Sequence, residues 1–381
     1  MVPAIVGAGE ARYTRHPDPA ADTASFLRDA VAEALADAGL AAADVDGLAV
    51  ASFSLGPDHA IDFAWRLGLR LRWLLEDTCG GAAGLDMVGH AHRALEAGDA
   101  SVVVVVAGDA GGSAEVARRQ ASFNRATRDH LAPLGYGGPN SLFAMLTQRQ
   151  MRAHGLTPED YGHLVIAQRA WAAGNPGAVY RAPLSMAEYL AAPLIADPLR
   201  RYDCVPVVAG ADALVLSSAG RGQAAGSPVL VRALVRSFNH DHQEGDGLRT
   251  GLAEVASELW DGAGVEPGSV DLACVYDDYP AMVLAQLADL GVVADGDLPR
   301  YTREVIAERR FPINTSGGML SAGQAGAAGG VHGIVEAVRQ LQHRAVGRQV
   351  PRARLAVVTG YGMVLYRYGA AAAAAVLERG V

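Results

Sequence analysis

Two stretches of the chain repeat one succession of helix, glycine turn and buried strand, and this repeat is the strongest constraint on the fold. A helical pattern over residues 22–40 is followed, after the same short gap each time, by the strand Val45–Val50. Residues 254–265 and the strand Val270–Val275 repeat that order and that gap. The alternation of helix and strand predicts an α/β fold with a mostly parallel or mixed sheet.

A second landmark recurs further along each stretch. Gly81-Ala82-Ala83-Gly84 precedes a helix and then the valine strand Ser101–Ala107, which suits a strand buried on both faces. Gly326-Ala327-Ala328-Gly329 precedes a helix and the strand Leu355–Val358. Two landmarks matched in the same order predict an internal duplication.

The composition argues against several classes of function. Half of the 381 residues are apolar and 19% are charged, as in an ordinary globular protein. The net charge of −9 argues against nucleic acid or anionic membrane as the main partner, because binding phosphate requires clustered Lys and Arg. The strongest apolar run, Val102–Ala107, is too short to span a membrane, so no integral membrane segment is expected. Three cysteines without disulfide or metal-ligand spacing predict a reducing, cytoplasmic location and no metal site.

The repeat and the intervening segment divide the chain into three predicted units. Residues 1–110 and 204–230 form an N-terminal half, and residues 231–381 form a C-terminal half. Residues 111–203 are rich in Arg, Gln, Tyr and Pro and contain helical patterns. Because this segment is too long and too patterned for a linker, we predict an inserted cap or loop domain over the active site.

Five segments resemble, in order, motifs of the thiolase superfamily, and they span nearly the whole chain. The matched family motifs are the nucleophile motif Cys-Ala-Ser-Gly, the Asp-Gly-Ala-x-Ala strand, His-Asp-Ala-Phe or Asn-Glu-Ala-Phe, Asn-x-x-Gly-Gly with a later Gly-His-Pro, and Cys-x-Gly-Gly. Their counterparts here are Gly81–Gly84, Tyr202–Cys204 with Gly210–Leu216, Val275–Tyr279, Asn314–Gly318 with Gln324, and Thr359–Gly362. The pattern is most similar to the thiolase-like lipid-transfer-protein branch. This resemblance implies a thiolase fold, with a duplicated five-layered α-β-α-β-α core and an inserted cap.

The chain departs from the family at the three positions where thiolases carry catalytic groups. Gly81 stands at the nucleophile position, Gln324 at the His position and Thr359 at the second Cys position. None of these side chains supplies the thiolate or the base that an acyl-enzyme requires. Cys79, two residues before Gly81, is the alternative nucleophile, unless it is a buried thiol acting as a small apolar side chain.

Two tyrosines give the predicted pocket a different chemistry. Tyr276 stands where the family carries the His or Asn that polarises the thioester oxygen, and Tyr279 replaces the family Phe, with Asp277 and Asp278 between them. A phenol donates to an oxyanion, or as phenolate accepts a proton. Such a group suits retro-aldol cleavage of a β-hydroxyacyl-CoA, which needs no covalent intermediate. The structural alternative is that both tyrosines pack against the cap.

The remaining candidate residues are predicted to shape the substrate pocket. Gln324 is also a catalytic candidate, as a hydrogen-bond donor to water or to the thioester oxygen. The substrate-binding candidates are Gly81, Asn314, Ser316, Gly317, Gly318, Thr359 and Tyr361. For the Asn314–Gly318 loop, an ordinary turn is the alternative.

The resemblance also implies partners and a substrate class. It implies a homodimer, an acyl-CoA substrate that brings coenzyme A as its own part, no further cofactor, and a small zinc-ribbon/OB-fold partner of the DUF35 type. Some members are aldolases that shorten steroid side chains as CoA esters, and those carry an aromatic residue and a His in the stretch that is Leu320-Ser321-Ala322-Gly323-Gln324 here. Three functions remain open: a retro-aldol lyase, an acyltransferase or β-ketoacyl-CoA thiolase using Cys79, and a non-catalytic acyl-CoA carrier or scaffold.

Overall fold

A computed structural model describes residues 2–111, 124–125, 127–136, 138–218, 226–242, 244–364 and 369–380. The strands are β1 (Ala4–Thr14), β2 (Gly47–Ala51), β3 (Trp73–Asp77), β4 (Val102–Asp109), β5 (Leu194–Ala196), β6 (Leu199–Arg200), β7 (Ala209–Ser217), β8 (Val229–Phe238), β9 (Leu272–Cys274), β10 (Leu355–Val364) and β11 (Gly369–Arg379). The α-helices are α1 (Thr23–Ala38), α2 (His59–Arg66), α3 (Ala83–Ala97), α4 (Gly138–His154), α5 (Pro158–Ala172), α6 (Met186–Ala191), α7 (Leu252–Ala263), α8 (Pro280–Asp289), α9 (Leu298–Tyr301), α10 (Gly318–Ala322) and α11 (Gly329–Leu341).

The large sheet contains the same strand arrangement twice. Its order is β3-β2-β4-β7-β1-β8-β11-β10-β9, so β2-β4-β7-β1 in one half corresponds to β9-β10-β11-β8 in the other. In each half the first pair is parallel and the next two pairs are antiparallel. The halves join where Ala4 and Ile5 of β1 pair with Leu230 and Val229 of β8. The duplicated α/β core predicted from the sequence is therefore confirmed.

Three apolar clusters separate the layers of this core. Leu27 and Val31 of α1 pack with Val104 of β4 on one outer face. Leu85 of α3 packs with Val331 of α11 between the half-sheets. A third cluster joins α7 and α8 to the outer face of the other half-sheet. The resulting succession of helix, sheet, helix, sheet and helix is the five-layered arrangement expected of the fold.

Glycine permits the close approach of the two central helices. A Cβ atom on Gly84 of α3 would overlap the carbonyl of Gly330 of α11. Both helices therefore lie close to the axis between the halves, and the short 3₁₀ turn Gly80–Ala82 brings Gly81 beside β10.

The segment between β4 and β7 carries additional helices and a small hairpin. Helices α4, α5 and α6 and the two-stranded β5–β6 sheet lie within residues 111–203, where an inserted cap was predicted. Part of that prediction, residues 112–123, 126 and 137, lies outside the described residues. The exact domain boundaries stay a prediction. Within the described part of the chain, no helix is both long and apolar enough to cross a membrane.

Candidate active site

A cavity of about 480 Å³ lies between the two halves and the inserted segment. Among the sequence-predicted site residues, five line it: Gly81, Tyr276, Tyr279, Gln324 and Tyr361. The inserted segment adds residues from the start of α4, among them Asn140 and Phe143. The wall is largely apolar and carries a few polar side chains, which is typical of a pocket for a small organic ligand.

Tyr276 is fixed in the cavity through its backbone. Its N–H donates to Thr359 Oγ1 at 3.0 Å, and its carbonyl accepts from Gln286 Nε2 at 2.8 Å. Thr359 in turn donates to Gln286 Oε1 at 2.7 Å. Thr359 does not line the large cavity, and its hydroxyl binds the loop that carries Tyr276.

Three polar side chains form one hydrogen-bonded set inside the cavity, here called the Tyr276–Asp278–Gln324 triad. Tyr276 Oη donates to Asp278 Oδ2 at 3.2 Å. Gln324 Nε2 lies 2.5 Å from Asp278 Oδ1 and 3.1 Å from Tyr276 Oη. In the loop after β9, Tyr276 and Asp278 point toward each other, whereas the Tyr279 hydroxyl points to Asn140.

Within this triad, the pKa shifts make Asp278 the proton acceptor and Tyr276 the hydrogen-bond donor. Burial, with repulsion from Asp277, raises the pKa of Asp278 from 3.8 to about 7. Burial and the charge of Asp278 raise the pKa of Tyr276 well above 10. Near neutral pH the carboxyl therefore exchanges a proton readily, whereas the phenol stays protonated and acts as a hydrogen-bond donor.

The Tyr276 ring fills the space where a side chain at Gly81 would lie. A Cβ on Gly81 would overlap Cε2 and Cζ of Tyr276 and the carbonyl oxygen of Tyr361. The nucleophile position predicted from the family motif thus has no room for a cysteine while Tyr276 keeps this position. A side chain at residue 81 and the present position of the Tyr276 ring therefore exclude each other.

Tyr279 and Tyr361 belong to the apolar part of the wall. Tyr279 stacks on Phe143 with ring centroids 4.6 Å apart, and Tyr361 meets the same ring edge-on at 6.3 Å. Tyr279 Oη donates to Asn140 Oδ1 at 2.6 Å and takes no part in the triad. Burial raises the pKa of Tyr279 well above 10, so it also stays protonated.

The predicted Asn314–Gly318 loop lies beneath the cavity. The Asn314 carboxamide binds both the N–H and the C=O of Val275, at 2.7 and 2.9 Å, and so fixes the segment leading to Tyr276. Ser316 Oγ lies 2.9 Å from His332 Nε2 and accepts from the N–H of Gly318 at 3.1 Å. Asn314, Ser316, Gly317 and Gly318 do not line the large cavity, and they support its floor.

The two glycines of that loop are required by the backbone. Gly317 and Gly318 have φ of +98° and +59°, and a Cβ on Gly318 would overlap Asp277 Oδ2. Asp277 accepts from the N–H groups of Met319 and Leu320 at 2.9 and 3.3 Å. Asp277 therefore anchors the start of α10, whereas Asp278 faces the cavity.

Cys79 does not line the cavity. Its thiol sulfur lies within 4.8 Å of carboxylate oxygens of Asp77 and Asp86, and Asp86 pairs with Arg236. Burial and these two carboxyl groups raise the pKa of Cys79 to about 12, which opposes formation of a thiolate.

Asp278, Asn140 and Cys204 are among the cavity-lining residues to which sequence reasoning gave no role. The signal for the first was its place in the Val275–Tyr279 segment, two residues after Tyr276. Asn140 reaches the cavity only through long-range packing of α4, for which the local sequence carries no signal. Burial raises the pKa of Cys204 to about 12, so this thiol is protonated near neutral pH.

Comparison with known proteins gives consistent similarities. The family model described as "Thiolase C-terminal domain-like" matches residues 235–379. The chain is 31% identical over 379 residues to the 17-hydroxy-3-oxo-4-pregnene-20-carboxyl-CoA lyase of Mycobacterium tuberculosis, covering 94% of this chain and 96% of that protein. It is 30% identical to the steroid side-chain-cleaving aldolase of Thermomonospora curvata, covering 94% and 95%.

A solved structure shares the whole architecture. The structure described as "Ltp2-ChsH2(DUF35) aldolase" has a TM-score of 0.82 and 26% sequence identity, and the match covers 99% of this chain and 98% of that one. The similarity therefore extends over both halves of the duplicated core and over the inserted segment.

Proposed function

The chain belongs to the thiolase superfamily, in its thiolase-like lipid-transfer-protein branch, and on this basis we propose that it is a carbon–carbon lyase that cleaves a β-hydroxyacyl-CoA by a retro-aldol reaction. The observation that carries the proposal is the hydrogen-bonded Tyr276–Asp278–Gln324 triad that lines the cavity. It offers a base and two donors but no nucleophile. The relatives named as lyase and aldolase support the same reaction class.

In the proposed reaction, ionised Asp278 takes the proton of the β-hydroxyl group. The Cα–Cβ bond then breaks, Cβ becomes a ketone or aldehyde, and the electron pair passes to the thioester as an enolate. As Asp278 gains the proton, the Tyr276 hydroxyl turns from Asp278 to the enolate oxygen, to which Gln324 Nε2 also donates. The proton held by Asp278 returns to Cα, which releases the shortened acyl-CoA. No atom is added and no electron is lost, so the proposal needs no further cofactor than the coenzyme A of the substrate.

The proposal is tested by product analysis. The pure protein is incubated with β-hydroxyacyl-CoA and β-ketoacyl-CoA esters, including steroid esters, with and without free CoA, and products are identified by mass. Cleavage of hydroxy esters without free CoA is the expected result. Cleavage of keto esters only with free CoA would establish a thiolase instead, and tight binding of both without turnover would establish a carrier.

The rate of cleavage is expected to depend on one ionisation near neutral pH. Because Asp278 acts as a base and its pKa is raised to about 7, kcat/KM falls as pH decreases through about 7 and levels off above it. The measurement is kcat/KM from pH 5.5 to 9 in wild type. A profile that is flat across pH 7 would contradict a base with this pKa.

Replacement of Cys79 by Ser is expected to leave cleavage within about threefold of wild type. The thiol lies outside the cavity wall, and its pKa of about 12 keeps it protonated. Turnover of the variant is measured beside the intact mass of wild type after mixing with a ketoacyl-CoA. An acyl adduct on Cys79, or loss of turnover in the variant, would favour the acyltransferase.

The partners belong to the same proposal. A DUF35-type protein is named in the description of the similar aldolase structure, and we propose a partner of that type here. A homodimer is supported by the edge strand β3, beside which Ile61 and Trp65 of α2 are exposed. The three unpaired cysteines support a cytoplasmic location.

A further inference from the structure

A second polar group lies in the cavity, apart from the Tyr276–Asp278–Gln324 triad. Tyr279 and Asn140 both line the wall, and the Tyr279 phenol donates to Asn140 Oδ1 at 2.6 Å. Among the described residues, Asn140 Nδ2 has no acceptor, so two N–H donors remain available to a bound molecule. This Asn140–Tyr279 pair takes no part in the proposed bond cleavage.

The surroundings of the pair are apolar. Phe143 stacks on the Tyr279 ring, and Met282 lines the same wall. A ligand that fits beside the pair is therefore expected to be apolar, except for an oxygen that accepts from the Asn140 amide. A donor isolated in such a wall is costly to leave unpaired once water is excluded, and it selects for ligands that supply an acceptor.

The pair is held in place by two packed helices. Asn140 lies in the first turn of α4, and Tyr279 immediately precedes α8. Gln150, in the later part of α4, donates to the carbonyl of Ala281 of α8 at 3.1 Å, and Phe143 near the start of α4 stacks on Tyr279, so the two helices are packed together. A donor fixed in this way discriminates between ligands because it does not move to meet a misplaced acceptor.

We propose that the Asn140–Tyr279 pair recognises a carbonyl or hydroxyl oxygen on a bulky apolar acyl group, distinct from the thioester and β-oxygens held at the triad. The inference rests on the proposed function, in that the ligand is an acyl-CoA. It makes Asn140 a specificity-determining residue for an oxygen on that acyl group.

The test uses binding, so that it stays separate from turnover. The ligands are polycyclic acyl-CoA thioesters without a β-hydroxyl group, which cannot undergo retro-aldol cleavage. Several ring ketones are used, each with the carbonyl at a different ring position. The Kd of each ketone is compared with that of the analogue that has a methylene group at the same position. Wild type is expected to bind at least one ketone about tenfold more tightly than its analogue. Asn140→Leu is expected to remove that preference with little change in Kd for the analogue. Tyr279→Phe, which frees Asn140 Oδ1 but keeps the donors, is expected to reduce the preference by less.

Met282→Leu is the matched control, since it changes the same wall without a polar group and is expected to shift both dissociation constants alike. Melting temperatures of all variants confirm folding. Equal binding of every ketone and its analogue by wild type would overturn the proposal. So would an Asn140→Leu variant that keeps the preference, or one that weakens both esters equally. Because none of these readouts requires cleavage, a failure of the retro-aldol proposal is recognised separately.

Discussion

Replacing Asp278 by Asn is expected to lower kcat/KM for cleavage of a β-hydroxyacyl-CoA by about 10²- to 10⁴-fold, the range associated with loss of a positioned general base. Asn keeps the size of the side chain and its contact with the phenol of Tyr276, but it cannot accept and return a proton. The measurement is steady-state cleavage by wild type and variant over the pH range of the wild-type profile. Loss of less than tenfold would remove Asp278 from the role of base.

The same variant is expected to fold at least as stably as wild type. Burial raises the pKa of Asp278 above its ordinary 3.8, so the folded state loses stability as pH rises from about 4 to about 7 and the carboxyl ionises. Asn removes that penalty, and the melting temperature at pH 8 is therefore expected to stay the same or increase. A decrease would mean that the ionised carboxylate stabilises the fold, in conflict with the raised pKa.

Asp277→Asn is the matched control for the pH profile. Asp277→Asn is the same substitution at the neighbouring residue. The Asp277 oxygens, however, accept from the N–H groups of Met319 and Leu320. Its pKa is likewise raised to about 7 by burial. If Asp278 is the base, the rate in Asp277→Asn still depends on pH, with a midpoint at lower pH because the repulsion from Asp277 is removed. In Asp278→Asn this pH dependence is lost.

The overall fold could be predicted from the sequence because its signals are local and occur twice. The helix-to-strand landmarks around Leu40 and Val265 correspond to α1–β2 and α7–β9, which occupy equivalent places in the two halves. No strand was predicted for β11, whose sequence is largely alanine, because alanine is a weak strand former and gives no alternation of apolar and polar residues. Its place is set by pairing with β8 and β10, which are distant in sequence.

The candidate site could be predicted only in part, for a related reason. Tyr276 and Gln324 were found from their places in motifs, and both line the cavity. The same motifs assigned Thr359 and Asn314 to substrate binding. In the structure, both side chains form hydrogen bonds to the backbone of the Tyr276 loop. A motif predicts which segment lies near the cavity. It does not predict which side chains of that segment point into the cavity, because their directions depend on backbone conformation and on contacts with the other half.

Tyr276→Phe is the prediction that most directly tests the role of the phenol beside Gly81 in the proposed chemistry. The variant is expected to lower kcat by about 10²- to 10³-fold, because it removes one preorganised donor to the enolate oxygen. KM is expected to change little, since a phenyl ring still fills the space beside Gly81. For the same reason the melting temperature is expected to stay close to that of wild type. Cleavage kinetics and thermal unfolding are measured together.

Tyr279→Phe provides the matched comparison, because it removes a phenol from the same cavity but one that donates to Asn140 and not to the triad. Its effect on kcat is expected to be less than about tenfold. If both variants lose activity equally, the phenols act through general polarity of the cavity and not through a defined position. If Tyr276→Phe keeps activity within fivefold, the Tyr276 hydroxyl is not part of the reaction. The Tyr276 ring would then fill the space beside Gly81 without contributing a donor to cleavage.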